Sequence, residues 1–220
     1  MRPSLPKPCL CLVTDRRLTG EDQLVNRVAR AVAGGVNLVQ LREKDLPGGR
    51  LLALAESLKS AIGDSARLVI NERVDVAACV SADGVQLGEE ALSVSEARAV
   101  LGPGLLVGRS VHSLEGAVQA VGQGADFLVV GTMFVSPSHP GEEPAGPDLI
   151  GRIAIECSVP LIGIGGINLF NLGQVMDAGA SGVAVISSIL AAADPQEAAY
   201  RMNQAMLSAL PATRARSGSG

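Results

Sequence analysis

The chain has 220 residues, 47% of them hydrophobic and only 2% aromatic, with 18 Lys plus Arg against 22 Asp plus Glu. A net charge of −4 with scattered arginines offers no basic field for a polyanion, and so few aromatics leave no base-stacking platform; nucleic-acid binding is therefore not expected. No apolar run reaches the roughly 18 residues of a membrane span, and Met1–Pro8 lacks the apolar stretch of a signal peptide, so a cytoplasmic protein without a membrane partner is expected. The length suits one domain over residues 1–220, with a disordered tail over about 212–220.

The first apolar run, Cys9–Thr14, carries two of the four cysteines. Cys9 and Cys11 share one face of a strand, and with Cys79 and Cys157 their spacing matches neither a zinc site nor a disulfide framework, so buried thiols are expected. Further aliphatic runs follow at Val36–Leu41, Arg67–Ile70, Gly84–Leu87, Leu105–Val111, Phe127–Gly131, Leu161–Gly165 and Gly182–Ser187. Between them lie stretches of helical period with cap signals. Leu24, Val25, Val28, Ala31 and Val32 form one apolar face closed by Gly34-Gly35. Ser93-Val94-Ser95-Glu96 reads as a capping box, and Asp194-Pro195 as an N-cap with proline in the first turn. Eight βα units predict a single (β/α)8 TIM barrel; the alternative, a doubly wound open sheet, lacks its glycine fingerprint after strand one.

In a barrel, chemistry belongs at the C-terminal ends of the strands. Strand two ends in Gln40-Leu41-Arg42-Glu43-Lys44, where alternation puts Gln40, Arg42 and Lys44 on one side as donors for an anionic substrate. The alternative is a solvated rim cluster in which these cations pair with Glu43 and Asp45. Glu72 after strand three and Glu89 and Glu90 after strand four could hold Mg²⁺ or simply favour helix N-termini. His112, ending strand five, is placed either as a proton shuttle or as a cap of the next helix. The loop from Thr132 to Pro147 is long enough for a lid, and in it Ser136, Ser138 and His139 suit phosphate contact or a plain surface loop. Strands seven and eight end in Gly163-Ile164-Gly165-Gly166 and Ile186-Ser187. Glycines let backbone N–H groups approach an anion, so Gly163, Gly165, Gly166, Ile186 and Ser187 are expected to form a phosphate cup.

These motifs stand in order along almost the whole chain: Gln40 to Lys44, Asn71 before Arg73-Val74-Asp75, Val85-Gln86-Leu87-Gly88, Gly108-Arg109-Ser110-Val111-His112-Ser113, Gly163 to Ile167 and Val185-Ile186-Ser187. Together they resemble the superfamily of thiamine phosphate synthase and its sister, the thiazole tautomerase TenI. The resemblance implies a TIM barrel that binds a small-molecule thiazole phosphate, commonly as a homodimer. It adds Asn71 and Ser110 to the substrate-binding set.

The two branches differ in ways that this chain makes visible. The synthase joins a pyrimidine pyrophosphate to thiazole phosphate with Mg²⁺. It carries Asn-Asp after strand three, Leu-Gly-Gln-x-Asp after strand four and Thr-x-Thr-Lys in the lid. Here these read Asn71-Glu72, Leu87-Gly88-Glu89-Glu90-Ala91 and Ser136-Pro137-Ser138-His139. The segment from Gly108 to Ala120 looks closest to the tautomerase branch, which needs no cofactor. The first expectation is therefore a tautomerase-like proton-transfer isomerase with His112 as acid/base and Lys44 facing the substrate carboxylate. The alternative is thiamine phosphate synthase with Glu72 and Glu90 as Mg²⁺ ligands. A second alternative is a non-catalytic thiazole-phosphate binding or regulatory protein.

Overall fold

Strand and helix alternate along the computed structural model, which describes residues 4–135 and 143–210. The order is β1 (Cys9–Val13), α1 (Glu21–Ala33), β2 (Leu38–Leu41), α2 (Gly48–Ile62), β3 (Arg67–Asn71), α3 (Val74–Cys79), β4 (Gly84–Leu87), α4 (Val94–Leu101), β5 (Leu106–Val111) and α5 (Leu114–Gly122). It continues through β6 (Phe127–Val130), α6 (Pro147–Glu156), β7 (Leu161–Ile164), α7 (Leu172–Asp177), β8 (Gly182–Val185), α8 (Ser187–Leu190) and α9 (Pro195–Ser208). All neighbouring strands are parallel, and β1 pairs with both β2 and β8, closing a (β/α)8 TIM barrel. The expected tail over 212–220 lies outside the described residues.

The core has two parts because a barrel strand is buried on both faces. Cys9, Cys11, Val13, Leu38, Val69, Leu106, Phe127, Val129, Ile162 and Ala184 fill the interior. The alternate strand residues, among them Leu10, Leu12, Val39, Leu68, Val85, Val107 and Leu128, face the helices. Phe127 is the bulkiest interior side chain, and it lies where Gly108 on β5 leaves room; a Cβ at Gly108 would overlap its ring and the Gln86 amide.

Local signals fixed the helix ends. Leu24, Val28 and Ala31 of α1 are buried, with Val25 and Val32 partly so, and Gly34 caps its C-terminus. Ser93 and Glu96 make both bonds of the capping box on α4, and the Asp194 carboxylate accepts from the Gln196 and Glu197 N–H groups at the start of α9. Six expected strands are trimmed, four by one residue and two, β2 and β8, by two. β2 begins at Leu38 rather than Val36, because the Asn37 side chain turns to β1, accepting from Leu10 N (2.9 Å) and donating to Pro8 O (2.9 Å). β8 stops at Val185 rather than Ser187, because Ile186 (φ −115°, ψ −86°) leaves extended geometry and Ser187 opens α8.

All four cysteines are free, and three are buried. Burial pushes the Cys11 thiol up to about 12; burial and then the neighbouring Cys11 raise Cys9 well above its ordinary value, and burial and then Glu156 raise Cys157. A raised thiol pKa starves the reactive thiolate. The native protein is expected to take up one equivalent of a thiol reagent at the exposed Cys79, and the other three only on unfolding. Mass spectrometry after native labelling reads this out; rapid labelling of Cys9 or Cys11 would contradict the packing.

Candidate active site

The interior turns polar toward the C-terminal ends of the strands, and two glutamines mark the change. Gln40 and Gln86 are buried, 5% and 1% exposed, within otherwise apolar strands. Gln40 is in register with Val69, and its Nε2 donates to Asn71 Oδ1, two residues further along β3 (2.9 Å). Gln86 is in register with Gly108, and its Nε2 donates to Ser110 Oγ, two residues further along β5 (3.1 Å). Asn71 and Ser110 thus form the next layer outward, half-buried at the mouth. Beyond β2, the Arg42 N–H donates to the fully buried Thr14 hydroxyl (2.9 Å), which ties the ends of β1 and β2 together.

The rim cluster foreseen around Glu43 and Asp45 exists, but its cation is Arg16, not Arg42 or Lys44. The nearly buried Glu43 carboxylate accepts from both the Arg16 backbone N–H (3.0 Å) and its Nη1 (3.0 Å), while Asp45 grips the same guanidinium at 2.6 and 2.7 Å. That guanidinium holds the Asp45 carboxyl down at about 2, below the usual carboxylate range. Lys44 is thereby left to Glu72, at 3.4 Å from its Oε1. Lys44, Asn71, Glu72 and Arg73 line one shallow cleft at the ends of β2 and β3.

Glu72 has a left-handed backbone (φ +61°), its N–H donates to Gln86 O (2.9 Å), and its Oε1 lies over Gly88, the first residue after β4. His112 ends β5 half-exposed, with Nδ1 2.9 Å from Glu89 Oε1. It does not cap the following helix; Ser113 does, its Oγ accepting from Gly116 N (3.0 Å). Arg109 donates to Leu92 O (2.8 Å) and Glu89 O (2.9 Å), holding the segment that carries Glu89, Glu90 and Ala91.

Across the mouth, the β7 turn runs through Gly165 (φ +102°) and Gly166 (φ +62°), conformations costly for a residue with a side chain. The start of the long loop lies against this turn: Met133 N donates to Ile164 O (2.9 Å) and Phe134 N to Gly165 O (3.0 Å). Asn171 Nδ2 donates to Gly166 O (3.0 Å), and Ser188 Oγ donates to Ile167 O (2.7 Å), linking the loops after β7 and β8. The first N–H groups of α8, beginning at Ser187 after Ile186, have no acceptor within their own helix. Gly163 is placed differently from its neighbours. Its missing side chain makes room for Val175 and Ile150 on the helix side of β7. Ser136, Ser138 and His139 lie outside the described residues.

Three residues of this site escaped the sequence reading: Arg16, Thr14 and Gln86. Gln86 carried a signal, a polar amide inside a four-residue buried strand like Gln40; Arg16 carried none, because its partners are 27 and 29 residues away.

The donors available for a cation are Glu72, Glu89 and Glu90, hard carboxylate oxygens at adjacent strand ends; Ala91 contributes only a methyl that packs on the core. Among the described residues no three His, Cys, Asp or Glu side chains cluster as a metal cage. Mg²⁺ is commonly held by one or two carboxylates and completed by substrate phosphates, so the residues present fit that ion, provided a phosphate-bearing ligand completes the set.

The sequence comparisons agree with this architecture. The family profile described as thiamine monophosphate synthase matches residues 10–189. A protein of Geobacter sulfurreducens is 45% identical over 204 residues, which is 92% of this chain and 94% of that protein. The thiamine-phosphate synthase of Roseiflexus sp. (strain RS-1) is 40% identical over 209 residues, 94% of this chain and 88% of its own. Among solved structures, the thiamine phosphate pyrophosphorylase of Pyrococcus furiosus superposes with a TM-score of 0.85 at 34% identity, covering 92% of this chain and 97% of that one. With the profile running from β1 into α8, across every strand end described above, the chain belongs to the thiamine monophosphate synthase family.

Proposed function

We propose that this chain is a thiamine phosphate synthase, coupling a pyrimidine pyrophosphate to a thiazole phosphate and releasing pyrophosphate. The observation that carries this reading is the division of one barrel mouth into two halves. Lys44, Asn71 and Ser110 provide a cation and donors at the ends of β2, β3 and β5, and the Gly165-Gly166 turn and the start of α8 follow β7 and β8. A single phosphate needs only the cup. A second, richer set of donors suits a pyrophosphate that gains charge as it departs.

The relatives named above carry the synthase name, which favours this reading over the proton-transfer isomerase expected from the sequence. The departures behind that expectation have a physical answer at one position. Glu72 is one methylene longer than aspartate, and its carboxylate reaches over Gly88 to the end of β4, where Ala91 supplies none.

In the reaction, backbone N–H groups at Gly165, Gly166, Ile186 and Ser187 hold the thiazole phosphate, while Gln40 and Asn71 orient the pyrimidine side. The bond to pyrophosphate breaks with its electron pair on the leaving oxygen, and the thiazole ring nitrogen supplies the electron pair of the new bond to the carbon that pyrophosphate leaves. Lys44, Arg42, the Asn71 amide N–H and the Ser110 hydroxyl meet that charge. Glu72 and Glu90 would hold Mg²⁺, which when bound would supply further neutralisation of the pyrophosphate. In the long loop, Ser136, Ser138 and His139 are assigned to pyrophosphate contact on the family pattern alone. A homodimer belongs to the same reading and rests on the same resemblance; a cytoplasmic location joins it on the sequence reading given above.

The test is direct. Purified protein with both phosphorylated precursors is expected to form thiamine phosphate in the presence of Mg²⁺, and to stop when EDTA removes it. No product at saturating Mg²⁺ would overturn the reading. His112→Ala separates the two chemistries: no proton passes through His112 in the coupling, so coupling is expected to fall less than about 10-fold, whereas an acid/base role demands a loss of about 10²–10⁴-fold.

A further inference from the structure

We propose that Gln86 is a positioning residue that fixes Ser110 as a hydrogen-bond donor toward the barrel mouth. The proposal rests on the mouth being the substrate site.

Gln86 Nε2 donates both to Ser110 Oγ (3.1 Å) and to Leu87 O (3.3 Å). A carbonyl oxygen can only accept, so the contact to Leu87 fixes which end of the amide is the nitrogen. A serine hydroxyl has one proton and two lone pairs. With a lone pair taken from the barrel interior, the Ser110 proton is free to point outward at a ligand.

The orientation has a cost that makes it informative. Among the described residues Gln86 Oε1 has no hydrogen-bond partner; it is a buried acceptor held in the space that Gly108 leaves open. An unsatisfied buried acceptor costs about 1–3 kcal/mol. Turning the amide over would give Oε1 the Ser110 hydroxyl as a donor and relieve that cost. It would also leave Leu87 O without its Gln86 donor and consume the Ser110 proton.

Gln40 acts on Asn71 in the same sense: its Nε2 occupies Asn71 Oδ1, so that the Asn71 amide N–H groups remain to donate. Two buried amides therefore give two mouth residues one polarity. At Asn71 and Ser110 the mouth thus presents donors, complementary to a ligand that only accepts, such as the oxygens of pyrophosphate.

The experiment is a double-mutant cycle on the affinity for inorganic pyrophosphate, measured by calorimetry in Mg²⁺ buffer on the full chain. Ser110→Ala and Gln86→Met are each expected to weaken binding by about 10-fold, the worth of one hydrogen bond to a charged ligand. The double variant is expected to match Ser110→Ala within about 2-fold, because Gln86 acts only through the hydroxyl. In a Ser110→Thr background, which keeps a hydroxyl, Gln86→Met is expected to cost its full factor again. A merely structural role would lower affinity in every background alike, and that additive result would overturn the proposal. If Gln86→Met does not fold, Gln86→Asn, too short to reach Ser110, takes its place in the cycle. Pyrophosphate binding with the expected cycle but no thiamine phosphate formation would defeat the synthase reading and leave this one standing. Coupling activity with an additive cycle would do the reverse, and wild-type protein that fails to bind pyrophosphate would defeat both.

Discussion

Lys44→Met is expected to lower the rate of thiamine phosphate formation by about 10²–10³-fold, the loss typical of removing one group that meets developing charge. Lys44 is the one lysine at the barrel mouth: Lys59 is spent on Val80 O and Ser81 O between α2 and α3, and Lys7 precedes β1. It sits 3.4 Å from Glu72 with just over half its side chain exposed, so the ion pair itself contributes at most about 1 kcal/mol to stability. The melting temperature should therefore stay near that of the parent while turnover collapses, and Lys44→Arg should restore part of the rate by restoring the charge. Steady-state kinetics decide it. A variant with unchanged kcat and only a raised KM would show that Lys44 binds substrate without acting on the leaving group.

Arg16→Ala should be the most damaging surface-loop substitution for stability, at about 3 kcal/mol. The Glu43 side chain is only 2% exposed, and removing the guanidinium leaves its charge with one backbone N–H in place of an ion pair. For a domain of this size that loss corresponds to a fall of roughly 6–12 °C in melting temperature. Calorimetric unfolding tests it, together with a double variant, Arg16→Ala with Glu43→Leu. If the cost is an uncompensated buried charge, taking away both partners should recover more than half of the loss. No recovery would locate the effect in the loop backbone instead.

Much of the fold was legible because its signals are short-range. The run Gly84–Leu87 was read as it stands, and Leu24, Val28 and Ala31 declared the inner face of α1 through their spacing alone. The capping box at Ser93 and the Asp194-Pro195 start of α9 are encoded within four residues. The misread ends have equally local causes that spacing does not reveal. Val36 looks like strand, yet the Asn37 side chain captures β1 before β2 begins. Ile186 is apolar and β-branched, yet it leaves extended geometry where the chain turns into α8.

The site was legible by residue type and opaque in its pairing. Gln40, Lys44, Glu72, His112 and the Gly165-Gly166 turn could be named from strand-end position, because a barrel brings every strand end to one face, whereas Asn71 and Ser110 were named through the family resemblance. Their partners could not. Glu43 and Asp45 were read as the alternative partners of Arg42 and Lys44, and Glu72, Glu89 and Glu90 only as metal ligands or helix-start acids. The register of neighbouring strands gave Glu43 to Arg16, Glu72 to Lys44 and Glu89 to His112.

By itself, the sequence determined the eight-stranded barrel, the caps of its helices and the glycine turn after strand seven. Each of these depends on period, caps and backbone freedom within a few residues. Only the tertiary structure decided which charges neutralise one another and which way the buried amides point. Those choices join side chains 23 to 31 residues apart, such as Glu89 with His112 and Gln40 with Asn71. Such partners meet only once strand register and barrel closure set their distances, and hydrogen bonds and ion pairs are short enough that a slip of one residue would remake them all.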